Sequence, residues 1–236
     1  MNIQGKIALV TGANRGLGSA YAKALLAAGA AKVYAAARDP STVTLPGVVP
    51  IKLDVTSAAD VAAAAALCKD VEIVVNNAGI ALDSTGLLGA EGESALRAQL
   101  DTNLYGILNV SRAFAPVLRA NGGGAIVNML SVLSWLSLPQ TPTYSVSKAA
   151  AWALTNSLRN ELRDQGTLVV GVHAGLIDTD MAKGFDAPKS RAEDIAQRMI
   201  EGLQNGDEEV LADETSRQVK AGFGLSPSVY LRDQRA

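Results

Sequence analysis

The chain has 236 residues and a formal net charge of −2, and 48% of its residues are hydrophobic against 19% charged. This composition excludes a disordered or fibrous protein, and the length suffices to bury the core of one α/β domain. No basic block stands out, so neither nucleic acid nor an anionic membrane is an expected partner.

One cysteine, Cys68, excludes an internal disulfide and fits a reducing compartment. It has no second cysteine or histidine near it in the sequence, so we interpret it as core packing, and no metal site is predicted. The first residues lack an apolar signal segment, and no apolar run approaches the ~20 residues that a membrane span requires. We therefore expect a cytoplasmic protein.

Short apolar runs alternate with helical patterns along the chain. The predicted strands span residues 7–10, 31–37, 49–53, 71–75, 125–130, 168–172 and 209–213. The predicted helices span residues 19–28, 57–67, 93–120, the stretch from Tyr144 to about Arg163, 190–203 and part of the tail, with capping boxes at 57–60 and 190–193 and a loop over 83–92. This alternation predicts an α/β fold: one doubly wound parallel sheet (a Rossmann fold) of about seven strands with helices on both faces. We expect a single domain over residues 1–236, with a cofactor half over about 1–125 and a catalytic and substrate half over about 126–236.

A glycine-rich turn follows the first strand. Gly12, Gly16 and Gly18 are spaced Gly-x3-Gly-x-Gly, and a helical pattern begins directly after them. Glycines in such a turn let backbone N–H groups approach a pyrophosphate at the helix N-terminus, where the helix dipole favours an anion. A tight turn without a ligand remains the alternative for this motif taken alone.

The end of the second strand is where a dinucleotide-binding fold selects its cofactor. An acidic side chain there accepts hydrogen bonds from a ribose 2′-OH, whereas an arginine accommodates a 2′-phosphate. Arg38 follows this strand and Arg15 lies in the glycine turn, so two guanidiniums could face the phosphate together. We therefore predict NADP(H) in preference to NADH. Asp39 is the counter-indication, because a small backbone shift could present it to a 2′-OH.

Small and polar residues follow the next strands. Asp54 and Val55 follow the third strand, and Asn76 to Gly79 follow the fourth, at the sheet edge where ligands of open α/β folds bind. Asn103 falls inside the long predicted helix. Asparagine is a poor helix former, so it indicates either a local distortion or a functional amide facing a cavity.

Ser131 ends the fifth strand, and Tyr144 and Lys148 follow on one helix. Residues four apart share a helix face, so the phenol and the ammonium can converge. A cation ~4 Å away would stabilise the phenolate by roughly 4 kcal/mol at an effective dielectric of ~20, which lowers the phenol pKa from ~10 toward ~7. Tyr144 is thereby predicted to act as a general acid and base at neutral pH.

The order of these motifs resembles the short-chain dehydrogenase/reductase family in its compact single-domain form, over residues 5 to 215. The matching residues are Thr11-Gly-x3-Gly-x-Gly18, Asn76-Asn77-Ala78-Gly79, Asn103, Ser131 and Tyr144-x3-Lys148. The resemblance implies that Tyr144 protonates a carbonyl oxygen as hydride arrives and that Ser131 holds this oxygen. It further implies that Lys148 lowers the Tyr144 pKa and binds the nicotinamide ribose, and that Asn103 holds a water that relays protons to Lys148.

The same resemblance, together with Arg38, defines a predicted cofactor site for NADPH or NADP⁺. The predicted members are Gly12, Asn14, Arg15, Gly16, Leu17, Gly18, Arg38, Asp54, Val55, Asn77, Ala78, Gly79, Tyr144, Lys148, Gly175, Ile177 and Thr179. Residue 174 is alanine where the family usually has proline, which frees φ at that turn and predicts a more mobile loop on the nicotinamide side. The neighbouring His173 is interpreted as a structural imidazole.

The substrate pocket is predicted from the apolar segment after Ser131 and the loop after the sixth strand. Its predicted members are Leu133, Trp135, Gln140, Leu176 and Met181. A mostly apolar wall favours an uncharged ketone or aldehyde, and the short loop over residues 181–190 predicts an open pocket that takes bulky or varied carbonyl compounds. Packing of Trp135 against another subunit is an equal alternative.

The resulting hypothesis is an NADPH-dependent carbonyl reductase, reversible as an alcohol dehydrogenase, that forms the homodimer or homotetramer common in the resembled family. One alternative is a ketoreductase acting on carrier-bound acyl chains, which predicts a basic patch built from Lys183, Lys189 and Arg191. Another is a catalytically silent NADP-binding regulator. The presence of all four catalytic residues argues against the regulator, which needs no proton donor.

Overall fold

The computed structural model of the protein describes residues 1–82 and 86–234, so the loop predicted over 83–92 lies partly outside the described residues. The strands are β1 (Ile7–Thr11), β2 (Lys32–Ala37), β3 (Val49–Lys52), β4 (Ile73–Asn76), β5 (Ala125–Met129), β6 (Leu168–His173) and β7 (Glu209–Leu211). The α-helices are α1 (Gly16–Ala27), α2 (Ala58–Leu67), α3 (Gly92–Leu100), α4 (Gly106–Ala120), α5 (Pro142–Leu162), α6 (Ala192–Asn205) and α7 (Glu214–Ala221).

The seven strands form one parallel sheet in the order β3-β2-β1-β4-β5-β6-β7. The winding direction reverses between β1 and β4, and such a switch point leaves a crevice at the carboxyl ends of the strands. The predicted doubly wound sheet is therefore confirmed. The turn after β1 and the segments after β4 and β5 all begin at this edge of the sheet.

Helices cover both faces of the sheet, each over its own core layer. Helices α1 and α6 pack on one face, and α2, α4 and α5 pack on the other. Strand β1 shows the alternation directly, since Ala8 and Val10 face the first layer and Leu9 faces the second. Cys68 is buried in the second layer, in keeping with its interpretation as core packing. No helix in the described part of the chain is long and apolar enough to cross a membrane.

Two local predictions near the C-terminus are wrong, and both involve Asp213. Strand β7 ends at Leu211, and Asp213 is instead the N-cap of α7, paired reciprocally with Ser216. Ser190 does not cap α6, because its hydroxyl donates to the Asp213 carboxylate at 3.2 Å, and Arg191 occupies the cap position without a side-chain hydrogen bond. A tertiary contact thus takes the Ser190 hydroxyl that the sequence assigns to a local cap.

The cap predicted at the start of α2 is present in part. Ser57 Oγ accepts a hydrogen bond from the Asp60 backbone at 3.2 Å, as predicted. The Asp60 carboxylate does not return to Ser57, because it accepts from the Asp54 backbone at 3.2 Å and from Lys52 Nζ at 3.1 Å. Asp60 therefore ties the end of β3 to the first turn of α2.

Candidate active site

The glycine turn between β1 and α1 is held closely against the segment after β4. Thr11 Oγ1 accepts hydrogen bonds from the backbone N–H groups of Asn77 and Ala78, both at 3.0 Å. The Asn77 amide donates in turn to the carbonyl oxygens of Thr11 at 2.9 Å and Gly12 at 3.3 Å. A Cβ added at Gly18 would lie 2.0 Å from the Gly12 oxygen, so only glycine permits this approach.

The turn presents backbone rather than side chains to the crevice. Gly12 and Gly16 have φ values of +64° and +51°, in the left-handed region that favours glycine. Helix α1 begins at Gly16, so its first unpaired N–H groups and the positive end of its dipole lie at this edge. Asn14 is half-buried here, whereas the side chain of Leu17 is buried in the core under α1, which leaves only the Leu17 backbone for a ligand.

Arg38 and Asp39, the two charged residues directly after β2, have different surroundings. Arg38 is exposed. The carboxylate of Asp39 accepts hydrogen bonds from the Ser41 backbone at 3.0 Å and from the Ser41 hydroxyl at 2.7 Å, and these bonds lower the Asp39 pKa. Asp39 is thus used in capping the short turn Pro40–Thr42, while the guanidinium stands exposed at the strand end.

Arg15 forms an ion pair that reaches beyond the glycine turn. Its guanidinium pairs with Asp180 at 3.2 Å, which links the glycine turn to the loop after β6. Asp180 also pairs with Lys183 at 2.5 Å, and chiefly through Lys183 its pKa is lowered. A joint contact of Arg15 and Arg38 with a 2′-phosphate stays a prediction, and the Arg15–Asp180 pair does not exclude it. The pair is exposed and screened by solvent.

The segment after β3 is bound to α4. Asp54 accepts hydrogen bonds from the Thr56 backbone at 2.9 Å and hydroxyl at 2.7 Å, and these lower its pKa, with a smaller contribution from Arg38. Val55 is buried, and its carbonyl accepts a hydrogen bond from Asn109 at 3.2 Å. A cavity of about 550 Å³ opens beside this segment; its lining residues are Thr56, Ile80, Ala98, Asp101, Thr102, Tyr105 and Asn109.

Asn103 distorts the long helix and also fastens the site together. The predicted helix over 93–120 is interrupted by a π-helical turn over Asp101–Tyr105, as the asparagine indicated. The fully buried Asn103 amide accepts from the Ile80 backbone N–H and donates to the Ile80 carbonyl, both at 2.9 Å. It also donates to Ser147 Oγ at 2.9 Å, on the helix turn between Tyr144 and Lys148. The side chain therefore clamps two segments, and its relay of protons through a water stays a prediction.

Ser131 is oriented by the short turn Val132–Ser134 that follows it. Its Oγ accepts a hydrogen bond from the Leu133 backbone at 3.1 Å, and Ser134 Oγ accepts from the Ser131 backbone at 3.3 Å. Because Ser131 Oγ accepts from the backbone, its own proton remains available for donation. The hydroxyl is therefore arranged to donate to an oxygen in the crevice.

Tyr144 and Lys148 converge on the same edge of α5, with Lys148 Nζ 5.6 Å from the centre of the Tyr144 ring. The ammonium donates to the Met129 carbonyl at 2.8 Å, two residues before Ser131, and a Cβ added at Gly79 would lie 3.9 Å from it. Burial lowers the pKa of Lys148 to about 8, and burial raises the pKa of Tyr144 above its ordinary value.

The expected lowering of the Tyr144 pKa is therefore not found. A lowered pKa requires the ammonium to lie ~4 Å from the phenol oxygen and to stay unengaged. The structure commits the ammonium to a backbone carbonyl instead, so desolvation of the phenolate decides the direction. A phenol kept protonated suits the role of a proton donor at neutral pH.

The predicted substrate residues differ in exposure. Leu133 and Leu176 are half-buried, while Gln140 and Met181 are exposed. The indole of Trp135 is buried within its own chain, which leaves little of it to pack against another subunit, and its place in the substrate pocket stays a prediction. The indole stacks on His173 with ring centres 3.9 Å apart and meets Phe223 edge-on at 5.6 Å. The C-terminal segment supplies this partner, which local sequence does not indicate.

His173 is buried behind Ser131 and yields a prediction about acid stability. Its Nδ1 lies 3.1 Å from the Ser131 carbonyl, and burial lowers its pKa from 6.5 to about 4. Between these pH values the unfolded chain binds a proton that the folded chain refuses, so stability should fall by on the order of 3 kcal/mol as the pH drops from about 6.5 to about 4. Thermal unfolding at several pH values should show this fall reduced in His173→Asn, which keeps a donor toward Ser131. Parallel curves for the two proteins would refute the assignment.

Some residues that build the site were not predicted to do so. Thr11 belongs to the glycine-turn motif without a predicted role of its own, yet its hydroxyl fixes the segment after β4. Asp213 falls in a predicted strand, yet its carboxylate accepts a hydrogen bond from the Gly175 backbone at 2.8 Å. An aspartate directly before a helical pattern is an N-cap signal that could have located it.

Comparison with known proteins defines the class of this fold and site. The model of the short chain dehydrogenase family matches residues 6–190. The short chain dehydrogenase tazN of Aspergillus terreus is 36% identical over 204 residues, which cover 79% of this chain and 44% of that protein. A 3-oxoacyl-[acyl-carrier-protein] reductase FabG of Vibrio cholerae is 32% identical over 206 residues, covering 84% of this chain and 83% of that one.

A solved structure agrees over nearly the whole chain. The crystal structure of a short chain dehydrogenase from Burkholderia cenocepacia in complex with NADP superposes with a TM-score of 0.90 at 38% identity, covering 96% of both chains. This protein therefore belongs to the short-chain dehydrogenase/reductase family, and it is an oxidoreductase of that family with a single Rossmann-like domain.

Proposed function

We propose that this protein reduces ketones or aldehydes to alcohols with NADPH, reversibly. The observation that carries the proposal is the convergence of Ser131, Tyr144 and Lys148 on the edge where the glycine turn ends. Lys148 Nζ connects them, since it lies 5.6 Å from the Tyr144 ring centre and bonds the strand that delivers Ser131. Asn103 clamps the neighbouring segment to the same helix.

The residues present fit a phosphorylated dinucleotide, which supplies the hydride when it is bound. The backbone of Gly12 and Gly16 would hold the pyrophosphate, and the exposed Arg38 would contact the 2′-phosphate. Thr56, the residue directly after Asp54 and Val55, lines a cavity of about 550 Å³ that has room for a base. The Burkholderia cenocepacia relative was solved with NADP, which supports the same preference here.

Three side chains of the protein would bind the carbonyl oxygen, transfer the proton and stabilise the phenolate. Ser131 would donate its hydroxyl proton to the carbonyl oxygen, which fixes the oxygen and stabilises its developing charge. Tyr144 would give its proton to that oxygen, and its raised pKa keeps the proton in place beforehand. Lys148, charged below about pH 8, would bind ribose hydroxyls and favour the phenolate that proton transfer leaves behind.

The substrate we propose is an uncharged carbonyl compound, with Leu133, Leu176 and Met181 as candidate contacts. The FabG relatives suggest a second candidate, reduction of carrier-bound acyl chains. That reading requires unpaired positive charge near the pocket. Lys183 pairs with Asp180 at 2.5 Å and Arg191 lies 3.7 Å from Glu193, so within the described residues only Lys189 of the predicted patch has no ion pair, which reduces the charge available for an acidic carrier. We therefore prefer free carbonyl compounds. A homodimer or homotetramer also remains a prediction.

Oxidation of NADPH and NADH, followed by absorbance, tests the proposal directly. The panel should contain aryl ketones, keto esters, aldehydes and acyl thioesters. We expect turnover of several free carbonyl compounds with NADPH. Turnover confined to acyl thioesters would select the carrier-linked alternative, and tight NADPH binding without any turnover would favour a silent NADP-binding regulator.

Substitution of Arg38 tests the choice of cofactor. Arg38→Asp should lower kcat/KM for NADPH by about 10- to 100-fold, because a charge-assisted hydrogen bond is worth roughly 1.5–3 kcal/mol. It should also raise relative use of NADH, since a carboxylate can accept from the 2′-OH. Arg38→Gln is the matched control, in which kcat/KM for NADPH should fall without a rise in the relative use of NADH. An unchanged preference in both variants would mean that another group reads the phosphate.

A further inference from the structure

The carboxylate of Asp213, near the proposed nicotinamide side of the site, accepts three hydrogen bonds. It is buried at the start of α7, where one oxygen accepts from the Ser216 backbone at 2.8 Å. The other oxygen accepts from the Gly175 backbone N–H at 2.8 Å and from the Ser190 hydroxyl at 3.2 Å. Only the first of these bonds is needed to cap α7. The other two reach the loop that follows β6.

The loop after β6 depends on these contacts at both of its ends. The Ser190 backbone donates to the Leu176 carbonyl and its carbonyl accepts from the Asp178 backbone, both at 2.9 Å, so Ser190 forms a single bridge opposite Ile177. At the other end, a Cβ added at Gly175 would lie 3.0 Å from the Cβ of Thr215, which shows how closely the first turn of α7 packs on the loop. Asp213 therefore joins Gly175, at the start of the loop, to Ser190, which pairs with Ile177 in the middle of the loop.

The sequence gives this loop no rigid start of its own, because residue 174 is alanine and its φ is free. We infer that Asp213 is the positioning residue that holds Ile177 and Thr179 in place for the nicotinamide half of the cofactor. The inference rests on the proposed function. Asp213 acts through hydrogen bonds to the backbone of Gly175 and the hydroxyl of Ser190, without touching the cofactor.

Asp213→Asn separates this role from the capping of α7. Asparagine caps helices as well as aspartate, so one amide oxygen can still accept from Ser216. Its NH₂ group would then face the Gly175 N–H and leave that donor unpaired. We expect NADPH to bind about tenfold more weakly to the variant, measured by the fluorescence of bound NADPH. Adenosine 2′,5′-bisphosphate, which lacks the nicotinamide, should bind within about twofold of wild type.

Two further variants guard against an effect on folding alone. Ser216→Ala breaks the reciprocal cap but keeps both loop contacts, so it should lower the melting temperature and leave NADPH affinity within about twofold. Ser190→Ala removes one loop contact and should weaken NADPH about threefold while sparing the bisphosphate. Equal losses for both ligands in Asp213→Asn, or no loss for either, would overturn the inference. Failure of the wild-type protein to bind either ligand would instead overturn the proposed function, and the inference with it.

Discussion

Tyr144→Phe should reduce turnover by ~100-fold or more, because a positioned general acid contributes typically 10²–10⁴-fold. In the proposed mechanism the phenol donates a proton at the carboxyl edge of the sheet, and its raised pKa means that it carries that proton throughout the neutral range. Phenylalanine keeps the ring beside Lys148 and removes only the oxygen. Steady-state reduction of the best substrate from the panel, with NADPH at saturation, measures the loss.

Cofactor affinity and stability serve as the controls for Tyr144→Phe. Within the described residues the phenol oxygen has no hydrogen-bond partner, so its removal should change the melting temperature by no more than a few degrees and NADPH affinity by no more than a few-fold. Tyr34→Phe is a matched variant far from the crevice, in a tyrosine that bonds Asp70 at 3.0 Å, and it should retain turnover. Substantial residual activity in Tyr144→Phe would remove the tyrosine from the role of acid.

Lys148→Met should abolish most turnover and at the same time stabilise the fold. Lys148 is 4% exposed and its pKa falls from 10.5 to about 8, so at neutral pH the folded protein carries an ammonium that burial disfavours. The shift corresponds to about 3 kcal/mol, offset by roughly 1 kcal/mol for the lost bond to the Met129 carbonyl. We expect a gain of about 2 kcal/mol in the free energy of unfolding at pH 7, and a loss of turnover of ~100-fold or more.

The predicted stabilisation by Lys148→Met should depend on pH in a definite direction. The unfolded chain holds the Lys148 proton up to about pH 10.5 and the folded chain only up to about pH 8, so wild-type stability should rise between these values. Lys148→Met lacks this rise, and its advantage should shrink as the pH increases. The exposed Lys69→Met is the control and should behave as wild type. A destabilised Lys148→Met would show that the ammonium is structurally required.

The pH dependence of carbonyl reduction by the wild-type enzyme should also report the ionisation of Lys148. The value of kcat/KM for NADPH reports ionisations of the free enzyme, so it should decline as the pH rises through about 8 and Lys148 loses its charge. The Tyr144 phenol, with its raised pKa, should stay protonated over this range and contribute no decline. A flat profile to pH 10 would remove Lys148 from cofactor binding.

Local patterns in the sequence determined the architecture and the chemical identity of the site. Apolar runs alternating with helical periods defined a parallel sheet, since both faces of its strands are covered. The glycine spacing located the turn whose φ values of +64° and +51° few other residues adopt. The four-residue spacing of Tyr144 and Lys148 placed both on one helix face, and Asn103 correctly indicated a distorted helix.

Tertiary structure alone decided which partner each polar group takes. Lys148 bonds a carbonyl of β5 rather than lying close to the phenol, so burial instead of charge sets the Tyr144 pKa. Arg15 pairs with Asp180, 165 residues away in the chain. Trp135 packs on Phe223, and Asp213 leaves its predicted strand to hold the loop after β6. Each of these contacts joins distant segments, and hydrogen bonds and burial between such segments are set by packing, which no local pattern encodes.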